Sequence, residues 1–262
     1  MKARITFLGT GTSTGVPAIG CTCAVCQSSD PRDKRLRPSI YVDVPGRAGI
    51  LVDTTPDFRQ QALTHAIRRL DAILFTHSHA DHIMGLDDIR RFNYIQEGAI
   101  PCYATAPVWE SIRRTFYYAF DGEPRQGGGV PRIEAHQIDG AFSVAGVSIV
   151  PVPLWHGTTP ILGFRFGTFA YLTDCSGIPD ESWSLVAGVE TLVVDALRDK
   201  KHSTHFNVAE ALDVVTRVAP RRAFLTHMAH DLGYAETNAR LPAGVELAYD
   251  GLVLDASVDI VA

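Results

Sequence analysis

The chain has 262 residues, about 46% of them hydrophobic, and a net charge of −5. That is enough apolar material for a large core, as one big domain or two fused halves, and no apolar run approaches the ~20 residues a membrane helix needs. The acidic balance argues against a general nucleic-acid binder, while a small anionic substrate stays open because a bound metal supplies positive charge locally.

The apolar stretch at the start is too soon broken by Gly9 and Thr10 for a signal peptide, so the expected protein is soluble and cytoplasmic. Residues 4–8 read as a buried strand. It runs into a turn-rich loop from Gly9 to Pro17. Cys21, Cys23 and Cys26 follow, three of five cysteines. In a cytoplasmic protein that cluster reads as a metal site rather than a disulfide framework. Residues 39–44 and 49–52 read as a hairpin around Pro45 and Gly46. A helix follows, with Thr55 as N-cap and Pro56 at its first position, ending near Leu70.

Residues 71–76 make the next strand, and His77, His79, Asp81 and His82 sit at its end. A helix is expected over 83–96, with Ile83, Leu86, Ile89 and Ile95 on one face, and another over 107–120. Gln126 to Gly129 read as a flexible connection. The second half offers hairpins at 142–145 with 147–152 and at 163–166 with 169–173. A strand over 191–195, a helix over 208–218 and a strand over 222–225 come next. A closing hairpin is expected at 246–249 with 252–254, around Asp250 and Gly251. Two sets of strands with outer helices suggest two mixed sheets packed face to face between helical layers.

Polar residues recur where apolar strands stop: Asp53, His77, His156, Asp174, Asp195 and His227. If these ends converge, His77, His79 and His156 form one set. Asp81, His82 and His227 form another, and Asp174 can bridge them. Imidazole with carboxylate suits zinc, iron or manganese. Two bridged cations are a common design for hydrolysing phosphoesters, because they acidify a shared water and stabilise charge on the substrate oxygens. Without a cation, the polar groups crowded at one strand end would be costly to bury. His65, His136 and His202 read as structural or solvated.

The run His77-Ser78-His79-Ala80-Asp81-His82 resembles the HxHxDH signature of the metallo-β-lactamase-fold hydrolases. His156, Asp174 and His227 match that family's remaining ligands in order. The resemblance covers nearly the whole chain and implies an α/β (α+β) fold, a four-layer αββα sandwich, as one hydrolase domain over 1–262. It implies one metal on His77, His79, His156 and Asp174, and a second on Asp81, His82, Asp174 and His227. Asp53 matches a residue that supports the site by hydrogen bonds.

The opening from Phe7 to Pro17, followed by the cysteines, resembles the phosphodiesterase branch. It looks most like the cyclic phosphodiesterases that act on 5-phosphoribosyl 1,2-cyclic phosphate. That likeness implies a structural zinc on Cys21, Cys23, Cys26 and His230, within a loop at about 20–27. It also implies His205 as a catalytic residue that protonates the leaving alkoxide or stabilises phosphoryl oxygens, with Asp81 counted beside it. Residues 98–135 read as a modest insertion whose Arg113, Arg114, Arg125 and Arg132 could contact a sugar phosphate.

The expected activity is a metal-dependent phosphodiesterase, using hydroxide held by two ions of manganese or zinc, on a small cyclic or nucleotide-like diester. The chain has no long basic arm, so a nucleic-acid substrate is not expected, nor is a membrane partner. A homodimer is common in this branch. The alternatives are a thioesterase or lactamase on the same scaffold, or a non-catalytic metal protein of cofactor biosynthesis. Cys102 and Cys175 read as packing residues.

Overall fold

In a computed structural model, residues 1–122 and 129–261 are described. The strands are β1 (Lys2–Gly9), β2 (Ser39–Val44), β3 (Ala48–Val52), β4 (Ala72–Leu74), β5 (Ile100–Ala104), β6 (Ile133–Gln137), β7 (Phe142–Val144), β8 (Val147–His156), β9 (Thr159–Phe166), β10 (Phe169–Leu172), β11 (Thr191–Asp195), β12 (Arg222–Thr226), β13 (Val245–Leu247) and β14 (Val253–Ser257). The helices are α1 (Ala24–Gln27), α2 (Phe58–Thr64), α3 (Ala80–Ile83), α4 (Arg90–Gln96), α5 (Ala106–Thr115), α6 (Trp183–Val186), α7 (Val208–Val218) and α8 (Tyr234–Asn238).

Two sheets form, ordered β14-β1-β2-β3-β4-β5-β6 and β13-β12-β11-β10-β9-β8-β7. Both are mixed: β3 to β6 run parallel, as do β10 to β13, while hairpins supply the antiparallel pairs. The inner faces meet in one core containing Ile5, Phe7, Ile50, Phe164, Phe166 and Phe169. The first sheet's outer face packs Leu51, Ile73 and Phe75 against Phe58, Phe92 and Ile112 of α2, α4 and α5. The second packs Leu192 and Val194 against Val208, Ala211 and Val214 of α7. The architecture is the four-layer αββα sandwich. Strands buried on both faces explain why β3, β10 and β11 read as continuous apolar runs rather than alternations.

Several local expectations change. Thr55 does not cap α2: its hydroxyl accepts from the Asp57 N–H and donates to Gln61, and Asp57 precedes the first helical turn. The helix expected over 83–96 is broken into α3, a 3-10 turn at Leu86–Ile89, and α4. Gly85 is the reason. Its N–H donates to the Thr54 carbonyl, and a Cβ there would lie 2.0 Å from the Thr55 oxygen, so the chain must turn to pass α2.

The closing hairpin does not exist. β13 lies beside β12 at the edge of one sheet and β14 beside β1 in the other, so Asp250 and Gly251 cross between layers. The stretch 98–135 supplies β5 and α5 to the first sheet and its helical layer. Arg125 and residues 126–128 lie outside the described residues. Among the described residues, no helix is long and apolar enough to cross a membrane.

Candidate metal centre and catalytic edge

The strand ends do converge. The ligand atoms of His77, His79 and His156 lie within 4.8 Å of one another, and so do those of Asp81, His82, Asp174 and His227. Asp174 faces both sets. Its Oδ2 is 3.8 Å from His77 Nε2, 3.2 Å from His82 Nε2 and 3.0 Å from His227 Nε2. Asp81 Oδ2 sits 3.4 Å from His82 Nε2 and 3.7 Å from His227 Nε2. All seven sequence-expected residues are thus brought together. His79 is exposed at the rim and the other six are buried.

Local backbone explains how the carboxylates and rings turn inward. β3, β10 and β12 each end in a residue with left-handed φ just beyond the apolar run: Asp53 at 64°, Asp174 at 57° and His227 at 59°. L-residues rarely adopt this region, and such strain concentrates at functional sites. The turn re-aims each side chain across the sheet edge.

Hydrogen bonds fix which ring nitrogen faces the centre. Asp53 accepts from the Thr76 N–H at 2.9 Å, the Thr76 hydroxyl at 2.8 Å and His82 Nδ1 at 2.7 Å. Thr76 Oγ1 is 3.0 Å from His77 Nδ1, and His156 Nδ1 donates to the Asp174 carbonyl at 2.7 Å. Each Nδ1 is occupied, which leaves Nε2 for a metal. Asp53 therefore lies behind the His82 ring, bonded to its Nδ1 and to Thr76.

The donor set fits divalent cations. Nε2 of His77, His82 and His227 is buried with no hydrogen-bond partner among the described residues. Burial disfavours charge on His227, but Asp174 and Asp81 push its pKa up to about 10. Burial also opposes charge on His82, which Asp174 and Asp53 raise well above the ordinary value. These carboxylates draw positive charge into a dry site, and metal ions are the usual way to supply it.

His205 lies at the same edge. Its ring centroid is 4.7 Å from those of His156 and His227. Its Nδ1 is 3.2 Å from Asp195 Oδ2, which also accepts from the Phe206 N–H at 3.0 Å. Asp195 Oδ1 lies 3.5 Å from His227 Nδ1. Asp195 thus holds the His205 ring and faces that of His227, an arrangement the sequence did not disclose: nine residues separate it from His205, and only its place at a strand end marked it. His202, read as structural or solvated, sits 5.2 Å from the His205 ring. His136 pairs with Glu134 on β6 instead.

A second centre forms from Cys21, Cys23, Cys26 and His230. The three sulfurs lie 3.2, 3.4 and 3.5 Å from His230 Nδ1. A tetrahedral zinc with ~2.3 Å sulfur and ~2.0 Å nitrogen bonds separates such atoms by about 3.5 Å, so the set fits. The Cys26 N–H and His230 lower the Cys23 thiol to about 6, which favours the thiolate a metal needs. Burial pushes Cys26 up to about 11.

The glycine loop serves this arrangement through its backbone. Thr12 N–H donates to the Met228 carbonyl, and the Met228 N–H donates to Thr10. A Cβ at Gly9 would lie 2.0 Å from the Arg37 oxygen, so only glycine allows that approach. The loop thereby holds the segment between His227 and His230. The described arginines of 98–135 are engaged on the outer layer: Arg113 over Trp109 and Phe120, Arg114 with Glu110, and Arg132 with Asn93.

A family model described as a β-lactamase superfamily domain matches residues 49–228, which include all seven residues of the paired clusters. The chain belongs to the β-lactamase superfamily. A solved structure described as a new diphosphatase from the PhnP family superposes with a TM-score of 0.93 and 45% identity, covering 99% of each chain. The PhnP-like branch of the superfamily is therefore where this chain falls. An octanoyltransferase from Porphyromonas gingivalis is 38% identical over 251 residues, covering 95% of this chain and 51% of the relative. The chain spans about half the length of that relative. Zinc-bound PqqB from Methylobacterium extorquens superposes with a TM-score of 0.75 at 21% identity, covering 97% of this chain and 100% of the other, a likeness of fold. The superfamily and the donor clusters together make this a metal-dependent hydrolase fold.

Proposed function

We propose that the protein hydrolyses small phosphoric diesters to monoesters, with 5-phosphoribosyl 1,2-cyclic phosphate the first substrate to test. Two divalent ions, zinc or manganese, would be held by the paired clusters, and one zinc by Cys21, Cys23, Cys26 and His230. When bound, the paired ions would supply Lewis acidity and an activated water. The observation that carries the reading is His205, held by Asp195 beside both clusters.

An alkoxide is a poor leaving group and needs a proton, whereas a thiolate, with a parent pKa near ~8.5, departs with little help. A poised imidazole therefore favours an oxygen ester over a thioester. Burial pushes the Asp195 carboxyl well above its usual range and His205 down to about 4. Both uncharged forms are favoured: a proton on Asp195 facing Nδ1, and one on His205 Nε2. Delivering the Nε2 proton to the departing oxygen lets the Asp195 proton move to Nδ1. The ring ends neutral and the carboxylate ionised, stabilised by the Phe206 N–H. His79, exposed at the rim, stands where a substrate first meets the clusters.

The diphosphatase relative supports a second reading, a phosphoanhydride bond in place of the diester. The same residues would serve it, since in-line displacement at phosphorus needs the same charge stabilisation. The test is a panel of cyclic diester, dinucleoside diphosphate and acyl thioester, offered to wild type and His205→Ala. The reading expects the diester to turn over fastest and the variant to lose about 10²–10⁴-fold on it. Thioester turnover that survives His205→Ala would replace the reading with acyl chemistry.

A further inference from the structure

Among the described residues, Arg35 is the largest side chain wholly out of water. Burying a guanidinium is costly unless hydrogen bonds compensate it. The bonds it makes go to one place. Nη1 donates to the Ala229 carbonyl at 3.1 Å, and Nη2 to the Leu232 carbonyl at 2.6 Å and to Asp33 Oδ1 at 3.2 Å. The same Asp33 oxygen accepts from the Tyr234 N–H at 2.8 Å. The planar fork thus grips the turn that carries His230 on both sides of that residue. Nε is buried with no partner among the described residues, so an arginine here is a poor choice for stability alone.

The other half of the cysteine centre is held from the same short segment. The Arg35 N–H donates to the Val16 carbonyl at 2.7 Å, and the Val16 N–H to the Arg35 carbonyl at 2.8 Å. Close by, the Ala18 N–H donates to Cys26 Sγ at 3.3 Å, and Lys34 Nζ to the Cys26 carbonyl at 3.1 Å. Only Met228 and Ala229 separate His230 from His227. All four of their backbone polar groups are bonded: those of Met228 to Thr10 and Thr12, those of Ala229 to Leu197 and to the Arg35 fork. A link held at every backbone group passes a shift of one histidine to the other.

We propose that Arg35 is a positioning residue that couples the two centres. By clamping the turn after His227 it holds His230 against the cysteines and His227 within the paired clusters as one rigid unit. Filling the cysteine centre then tightens metal binding at the paired clusters, and the reverse holds by linkage. The inference rests on the metal reading of both centres and is independent of which substrate the protein cleaves.

The test reads each centre with its own ion, on the full chain. Cobalt(II) on thiolates gives an intense sulfur-to-metal charge-transfer band, so cobalt-substituted protein titrated with a chelator reports the cysteine centre. Manganese(II) prefers imidazole and carboxylate to thiolate, and its free-ion EPR signal counts what the paired clusters bind in protein that keeps zinc on the cysteines. Arg35→Met fills the space without the fork and should weaken metal binding at both centres by about 10–100-fold, and Arg35→Lys should recover part of the loss. Cys23→Ser, which leaves Arg35 in place, should weaken manganese binding as well. Phe166→Leu, in the core between the sheets, controls for a merely structural effect: it should lower melting and leave both affinities as in wild type. Asp33→Asn is a second variant should Arg35→Met fail to fold, and should weaken both centres severalfold. Wild-type affinities in a folded Arg35→Met or Asp33→Asn protein, or a weakening confined to the cysteine centre, would overturn the coupling. A wild type without the charge-transfer band would sink the cysteine metal reading and this inference with it, and leave the diesterase reading standing.

Discussion

Asp195 shows how one buried carboxylate can organise a site. It holds His205 through Oδ2 and faces His227 through Oδ1, so it links the proposed proton donor to a ring of the proposed metal site. Asp195→Asn keeps the shape but loses an acceptor and the mobile proton. The expected result is a kcat lower by roughly 10²–10³-fold with bound metal retained, measured by turnover and elemental analysis side by side. Asp250 offers a test of buried charge away from the centre. It accepts from Thr10 Oγ1 and the Leu36 N–H, and burial pushes its pKa up to about 7. The unfolded group ionises near ~3.9, so folding stability is lost as pH rises from about 4 to about 7 and levels off above that. Asp250→Asn removes this dependence. Its melting temperature relative to wild type should climb by roughly 5 °C between pH 5 and pH 7.5, and a pH-independent difference would refute the buried-acid account.

The elements were legible where pattern and burial agree. The strands ending at Asp53, His156, Asp174, Asp195 and His227 were readable because each is an apolar run stopped by a polar residue, and their convergence on one edge follows from packing two sheets face to face. What escaped was set by tertiary contact. Residues 83–96 carry a helical period, but Gly85 must pass the Thr55 carbonyl, and that approach breaks the helix. Gly85→Ala should cost a few kcal/mol, read as a lower denaturation midpoint. A midpoint like wild type would mean the break is set elsewhere. Residues 246–254 look like a hairpin by every local rule. Their partners β12 and β1 belong to different sheets, which no window of nine residues can reveal. The pairing of Asp195 with His205 was hidden for the same reason.

At the scale of the molecule, the cysteine centre ties chain segments about two hundred residues apart: Cys21 and His230 are 209 positions apart. His230 lies three residues beyond His227 of the paired clusters, and the Gly9–Gly15 loop bonds to the segment between them. Cys23→Ser should therefore lower melting and cost one zinc per chain, with a smaller effect on intrinsic turnover; unchanged melting would remove the structural role. The αββα sandwich brings six strand ends to one edge, and the proposed chemistry requires that edge to be loaded with metal. The most direct measurement is phosphorus NMR of 5-phosphoribosyl 1,2-cyclic phosphate mixed with protein loaded with zinc or manganese, beside a chelated control and His79→Ala. The account predicts opening to a single monoester that the chelator and the variant both abolish. An intact diester, in protein shown by elemental analysis to hold its metals, would contradict it.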